Sequence, residues 1–337
     1  MVQLTLTQAV EQFNRYLRAT GKSPNTIADY NNSYNKLIAH LAHNPPLADI
    51  TITDLEIFFD NLRTHPVTPT GIAPRPPRTL SPKTIQNIHA GLSSLWTWAL
   101  KRKFVTDHIP RAVPVDRPSP PPITTFAQDE IQAMLHTCFH SASWGSKPGT
   151  HNTVPRPRAL RDQAIILFLL DTGLRVTEAC GLTLTDVEME DRLVHVQAAN
   201  AKNRKPRDVP FGRRVALALL DYLATRPEAI PNDPLFSTMT RRDHFTEEHF
   251  SRQHLGRHLT RIGQRAGISG RANPHRFRHT FATEFLRNGG DVHVLQKLLG
   301  HASLEMVWRY VHYVQADINT AHRRASPADN WKLKLQK

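Results

Sequence analysis

Sulfur chemistry is nearly absent from this chain. Its 337 residues include only two cysteines, Cys138 and Cys180, too few for a disulfide framework or a cysteine-built zinc site. That scarcity fits a reducing compartment. Long apolar runs are missing too: the most apolar block, Ala164–Leu170, is far shorter than the roughly 18 residues a membrane span requires. The amino terminus, MVQLTLTQAVEQF, has no basic segment followed by an apolar core and so reads as no secretory signal. A cytoplasmic protein with no membrane partner is expected. Acidic residues are in deficit, 29 against 43 Lys and Arg, for a net charge of +14. No acidic cluster for Mg²⁺ is apparent, which makes a metal-dependent nuclease a poor reading. The excess of positive charge favours a polyanionic partner, although charge alone separates neither DNA from RNA nor either from an ordinary basic enzyme.

What is present is helical periodicity interrupted by proline. Leu6, Ala9, Val10, Phe13 and Leu17 follow helical spacing, with Tyr16 widening the stripe. Helices are expected at about 24–41, with Ser23 or Asn25 as cap, at 55–62 after a start at Thr51-Ile52-Thr53-Asp54, and from Ser81-Pro82 to the basic Lys101-Arg102-Lys103. Residues 65–82 are too proline-rich for helix and read as a long loop. A second cluster, IPRAVPVDRPSPPP, reads as a semi-rigid linker that would let two domains close around something between them. The expected division is a helical domain at 1–108, a linker at 109–125, a second domain at 126–325 and a tail at 326–337. In the second domain, helices at 127–138 and 161–171 flank a surface loop at 141–157. Strands at 192–197 and 207–211 are joined by the basic turn 200–206, and from Arg213 onward the pattern reads as helix, at 213–225, 247–266, 275–288, 291–299 and 303–313. The fold class is mainly α with a small antiparallel β-sheet.

Several segments of the second domain carry chemistry. In Asp171-Thr172-Gly173-Leu174-Arg175, an arginine follows a helix-ending glycine, where its fork can meet a phosphate beside a helix N-terminus; a surface pair with Glu178 is the plain alternative. Lys202 sits in the basic hairpin turn, where solvation alone would also explain it. Asn273-Pro274 starts a helix that places His275 and Arg278 on one face, able to donate to a phosphate and move a proton, with Phe277, Phe281 and Phe285 opposite. His275 with His279 would make a metal pair only with a nearby acidic or third ligand at sensible spacing, and none is evident, while His136 with His140 around Cys138 reads as an accident of a helix end rather than a metal pair. Leu299-Gly300-His301 ends a helix at a glycine. Beyond it, Met306, Val307 and Tyr310 share an inward face, where a tyrosine ordinarily packs, and Tyr313 partly shares that face.

In this order the motifs resemble the tyrosine recombinase family, which includes phage integrases and Xer recombinases. The family shows Thr-Gly-Leu-Arg, a basic hairpin lysine, His-x-x-Arg, Leu-Gly-His, and a tyrosine nine residues further on. The matching positions are Arg175, Lys202, His275, Arg278, His301 and Tyr310, spread over about 135 residues. The resemblance favours Tyr310 over Tyr313 and covers Gln128–Val314; the N-terminal helices look like the family's core-binding domain. Two departures stand out: the hairpin reads Ala-Lys-Asn where Gly-Lys-Gly is common, leaving Lys205 as a second choice for Lys202, and 65–82 and 141–157 look like insertions.

The resemblance implies a site-specific recombinase, an enzyme that breaks and rejoins DNA strands without cofactor, metal or ATP. Arg175 and Arg278 would clamp the phosphate, and Tyr310 would attack it to form a 3′-phosphotyrosine. His275 would serve as base, Lys202 would protonate the leaving 5′-oxygen, and His301 would bind phosphate or position Tyr310. The expected partners are double-stranded DNA with an inverted-repeat-like site and a homotetramer exchanging strands through a Holliday junction, with a partner recombinase or accessory protein where direction is set. A mobile-element integrase is the expected role, with an Xer-type dimer resolvase, an inactive DNA-binding regulator and a type IB topoisomerase as rivals. The tail, with Trp331, Leu333 and Leu335, is expected either to dock on a neighbouring subunit or to fray.

Overall fold

The computed structural model describes residues 3–66, 79–139, 158–200, 205–240, 244–314, 322 and 326–331. Most of the loop 65–82, the insertion 141–157, the turn residue Lys202, the side chain of Tyr313 and most of the tail lie outside the described residues. The chain divides into two compact units, Met1–Pro121 and Pro122–Lys337.

The first unit is built on four helices: α1 (Leu6–Ala19), α2 (Pro24–Leu41), α3 (Ile52–Thr64) and α4 (Pro82–Lys101). Each starts at a hydroxyl residue, Thr5, Ser23, Thr51 or Ser81, whose side chain accepts a hydrogen bond from a first-turn N–H, and α2 and α4 carry proline next. The start of α3 at Thr51-Ile52-Thr53-Asp54 is where the sequence puts it, with Thr51 as cap and Asp54 closing the box. The core is aromatic, with Phe13, Tyr34, Phe58, Phe59 and Trp96 almost fully buried. The Tyr34 hydroxyl donates to the Gly91 carbonyl at 3.1 Å. Tyr16 is 41% exposed, so the buried stripe of α1 is narrower than its sequence implies. The proline segment is not all linker-like. Ile109–Ala112 forms a 3₁₀ turn, and Pro110 and Val113 are buried against the first unit.

In the second unit α5 (Gln128–Phe139) packs on α6 (Ala159–Thr172), which α8 (Arg213–Leu223) and α10 (Pro274–Arg287) also contact. Helix α6 is buried nearly all round, through Ala164, Ile165, Ile166, Phe168 and Leu169, and forms the axis of the core. After the short α7 (Val176–Cys180), strands β1 (Val187–Glu188), β2 (Leu193–Val196) and β3 (Arg207–Pro210) form an antiparallel sheet in the order β1-β2-β3, with Val194 opposite Val209 and Val196 opposite Arg207. Val194 and Val196 point inward while their neighbours are half-exposed.

The expectation of helix throughout 213–313 fails at one place. Residues 247–249 belong to a strand, β5 (Phe245–His249), paired with β4 (Ser237–Met239), and helix α9 (Arg252–Arg265) begins only after Ser251 takes the cap. Phe245 and Thr246 suit a pleated surface, and Thr246 meets Thr238 across the pair through their hydroxyls at 2.6 Å. Helices α11 (Val292–Leu299) and α12 (Glu305–Val314) complete the unit, with a helical turn at Pro327–Asn330. The inward face of α12 is centred on Val307 and Tyr310, whereas Met306 is 44% exposed. The fold is mainly α with small antiparallel sheets. Among the described residues no helix is long and apolar enough to cross a membrane.

Candidate active site

The site is organised by the C-terminal end of α11. A helix ends with carbonyls that have no partner within it and with the negative pole of its dipole. Here three arginines from three other elements satisfy them. Arg207, at the start of β3, donates through Nε to the Leu298 carbonyl at 2.8 Å. Arg278, on α10, donates through Nη2 to the Leu299 carbonyl at 2.7 Å, and Arg175, just before α7, donates to the Leu299 and Gly300 carbonyls at 3.2 and 3.3 Å.

Two glycines make this convergence possible. Gly173 ends α6 at φ +58°, and a Cβ there would lie 2.3 Å from the ring of Phe281. Its carbonyl accepts from Arg278 Nη1 at 2.8 Å, which ties the turn carrying Arg175 to α10. Gly300 ends α11 at φ +60°, with Arg207 packed where a side chain would stand.

Three positive groups need an anion among them. Glu178 supplies it: fully buried, it binds Arg207 at 2.8 Å and Arg175 at 3.0 Å and accepts from the Arg175 backbone N–H at 2.9 Å. Burial alone would raise its pKa, but hydrogen bonds and charge from Arg207 and then Arg175 outweigh that and hold the carboxyl below its usual range. Arg175 does pair with Glu178, as the plain alternative in the sequence has it, but not on the surface: Arg175 is 15% exposed and Glu178 fully buried. Burial first, and Arg175 next, lower the Arg278 guanidinium to about 9, so it stays charged at neutral pH. The bonds described spend three of the five donors of Arg175 and three of those of Arg278, leaving Nε–H and one terminal N–H on each among the described residues.

His301, just past α11, takes its place through Arg278. Guanidinium only donates, so His301 Nε2, 2.8 Å from Arg278 Nη2, is the acceptor and the proton sits on Nδ1. That Nδ1 is buried without a partner among the described residues. Burial, then Arg278 and Arg175, lower this imidazole to about 3 and keep it neutral. Its ring lies parallel to that of Tyr310, centroids 6.4 Å apart at 11°.

Tyr310 is 5% exposed, packed with Val307, Leu295, Leu299 and Ala282, and its hydroxyl meets Nδ1 of His279 at 2.9 Å. Burial raises its phenol, opposed by Arg278, Arg309 and Arg175. His275 is exposed at the second position of α10. The structure thus gathers Arg175, Arg278, His301 and Tyr310, places His275 at the rim, and adds Glu178, Arg207 and His279, to which the sequence reading gave no catalytic part. Lys202 lies outside the described residues, and Lys205 is exposed beside β3. Among the described residues no group of His, Cys, Asp and Glu is arranged to hold a metal ion.

Comparison with known proteins shows the family of the chain. Residues 125–316 match the phage integrase family and residues 10–105 the N-terminal SAM-like domain of phage integrases. The chain belongs to the phage integrase family. The tyrosine recombinase XerC of Listeria innocua is 26% identical over 278 residues, 82% of this chain and 83% of the relative. The tyrosine recombinase XerA of Pyrococcus furiosus is 26% identical over 328 residues, 96% of each chain. Among solved structures, the Tn1549 transposon integrase in complex with transposon right end DNA superimposes with a TM-score of 0.68 at 18% identity, covering 98% of this chain and all of that one. A lambda integrase tetramer bound to a Holliday junction gives a TM-score of 0.63 at 18% identity, covering 89% and 78%. At that identity the likeness is one of fold.

Proposed function

We propose that this integrase-family protein is a site-specific recombinase of the cytoplasm that cleaves and rejoins double-stranded DNA through Tyr310. The observation that carries this reading is the gathering of two charged arginines, a neutral histidine with a spare N–H and a buried tyrosine at one helix end. A phosphodiester resists attack because its charge repels nucleophiles, and preorganised donors at its non-bridging oxygens are the remedy. The remaining N–H groups of Arg175 and Arg278 are suited to those oxygens, and Arg278 keeps its charge at neutral pH. His301 Nδ1–H adds a donor. Tyr310 Oη attacks phosphorus, a 3′-phosphotyrosine forms, and the 5′-oxygen departs with a proton from Lys202. The phosphotyrosine conserves the energy of the broken bond, so a 5′-hydroxyl from a second duplex can reseal it without ATP. Strand exchange in a homotetramer on two duplexes, through a Holliday junction, follows from that chemistry. The SAM-like unit 10–105 would grip the duplex and the unit after Pro121 would perform the reaction.

A mobile-element integrase is the role we favour, on the proline-rich insertions at 65–82 and 141–157. The full-length likeness to Xer recombinases favours dimer resolution instead. The chemistry is tested with a nicked suicide duplex in EDTA without ATP. A denaturation-resistant adduct that Tyr310→Phe abolishes is the expected result; tight binding with no adduct would leave a DNA-binding regulator. Sequencing the sites cleaved in the host genome separates the roles: sites at the ends of the resident element mean integrase, a single chromosomal site means resolvase.

A further inference from the structure

Tyr310 cannot act alone. A buried phenol holds its proton more tightly than one in water, so attack on phosphorus needs a group to take that proton as the O–P bond forms. The geometry narrows the acceptors. His301 is ruled out although its ring stacks on Tyr310, because Arg278 occupies its Nε2 and its Nδ1 already bears hydrogen. His275, three residues before Arg278, is exposed at the rim. The hydroxyl's own hydrogen bond goes to His279, one turn further along α10, at 2.9 Å, with the two rings 5.6 Å apart and tilted by 49°.

We infer that His279, rather than His275, is the catalytic base: its Nδ1 accepts the hydroxyl proton of Tyr310 during cleavage and returns it during resealing. This rests on the reading of Tyr310 as nucleophile. The imidazole must carry its resting proton on Nε2 to accept at Nδ1. Burial, followed by His275, Arg309 and Arg278, lowers it to about 4, so it is neutral at physiological pH, and the tautomer protonated at Nε2 leaves Nδ1 open to the hydroxyl proton. Such a weak base does not ionise the phenol at rest. The arriving phosphate supplies the missing drive, since a nearby anion raises the proton affinity of an imidazole. In the forward step the Oη–P bond forms, the O–H bond breaks with its proton passing to His279, and the P–O5′ bond breaks as the 5′-oxygen takes a proton from Lys202. Resealing reverses each transfer.

The test uses nicked duplexes selected from a random-sequence pool by covalent capture with the wild-type chain. Single-turnover adduct formation is then measured for wild type, His279→Ala and His279→Gln, each checked for folding by thermal melting and for DNA affinity. Loss of a general base predicts a fall of about 10²-fold or more in His279→Ala with affinity unchanged. His279→Gln restores a hydrogen-bond acceptor but no base, and is expected to stay slow; it also carries the comparison if the alanine variant does not fold. The decisive arm places 3,5-difluorotyrosine, a more acidic phenol, at position 310: it should recover most of the lost rate in His279→Ala while changing wild type little. Full activity in His279→Gln, or no recovery with the fluorinated phenol, overturns the base assignment. A wild-type adduct with an unimpaired His279→Ala sinks this inference alone, whereas a pool yielding no wild-type adduct sinks the nucleophile reading and the inference with it.

Discussion

The main-chain carbonyl of Leu299 accepts from both Arg175, at 3.2 Å, and Arg278, at 2.7 Å. Two cations that repel one another are thus registered on one oxygen at the negative end of α11, with no substrate needed to draw them together. A side chain in that role would be open to substitution, but a carbonyl held by the left-handed turn at Gly300 is not. The arrangement accounts for a Leu-Gly-His segment near the tyrosine: leucine buries the helix end, glycine turns the chain, and histidine receives Arg278.

Arg278→Lys tests whether charge alone suffices. Arg278 reaches Gly173, Leu299 and His301 together through a planar fork, which an ammonium cannot reproduce. The expected loss is about 10²- to 10³-fold in single-turnover cleavage, comparable to removing one preorganised donor. Adduct formation on a suicide duplex measures it, and a lysine variant near the wild-type rate would refute the fork argument.

Glu178→Gln should be the most destabilising change in the site. It leaves Arg207 and Arg175, 12% and 15% exposed, facing each other without their anion. Breaking a buried pair typically costs about 3 kcal/mol or more. The pH dependence has a definite sign. The Glu178 carboxyl is lowered in the folded protein, so its contribution is complete above the unfolded value near 4.5 and is lost as pH falls through the folded one. Urea midpoints between pH 7 and pH 3 should show this acid-side loss in wild type and a reduced one in Glu178→Gln.

Much of this site was legible because its cues are local. Gly173 before Arg175 and the cap at Asn273 with Pro274 act within a turn, and the structure agrees with both. What escaped depends on distance along the chain. Arg207 meets Glu178 across 29 residues and His279 meets Tyr310 across 31, and no local pattern marks either pair. His279 also sits four residues from His275, so helical spacing set them on one face without saying which meets the tyrosine. The missed hairpin has the same origin: Phe245–His249 contains Glu247, Glu248 and His249, fair helix formers, and only pairing with Ser237–Met239 makes it a strand.

Gly173→Ala and Gly300→Ala should separate strain from collision. Both glycines have positive φ, for which alanine costs about 1 kcal/mol. At Gly173 the new Cβ also meets the ring of Phe281 at 2.3 Å, an overpacking worth a further ~1–3 kcal/mol, while at Gly300 it meets only the end of Arg207, at 3.2 Å. Gly173→Ala should therefore lose more stability by chemical denaturation, and Phe281→Ala should recover part of that loss in the double variant. Equal losses at the two glycines would argue against the collision.

His279 and His301 should be neutral far below the ordinary imidazole range. Their folded values are lowered to about 4 and about 3, first by burial and then by charged neighbours, His275 at the one and Arg278 at the other. In the unfolded chain both titrate near 6.5. Between these limits the unfolded state binds more protons, so stability is complete above about 6.5 and declines as pH falls toward the folded values. His195, hydrogen-bonded to Asp208 and raised, acts in the opposite sense, and it is exposed enough to contribute little. Imidazole NMR shifts, assigned by His279→Gln and His301→Gln, should show both rings unprotonated at pH 5. A midpoint near 6.5 for His279 would mean that it is protonated part of the time near neutral pH. In that state its Nδ1 would already hold the proton that Tyr310 must give up.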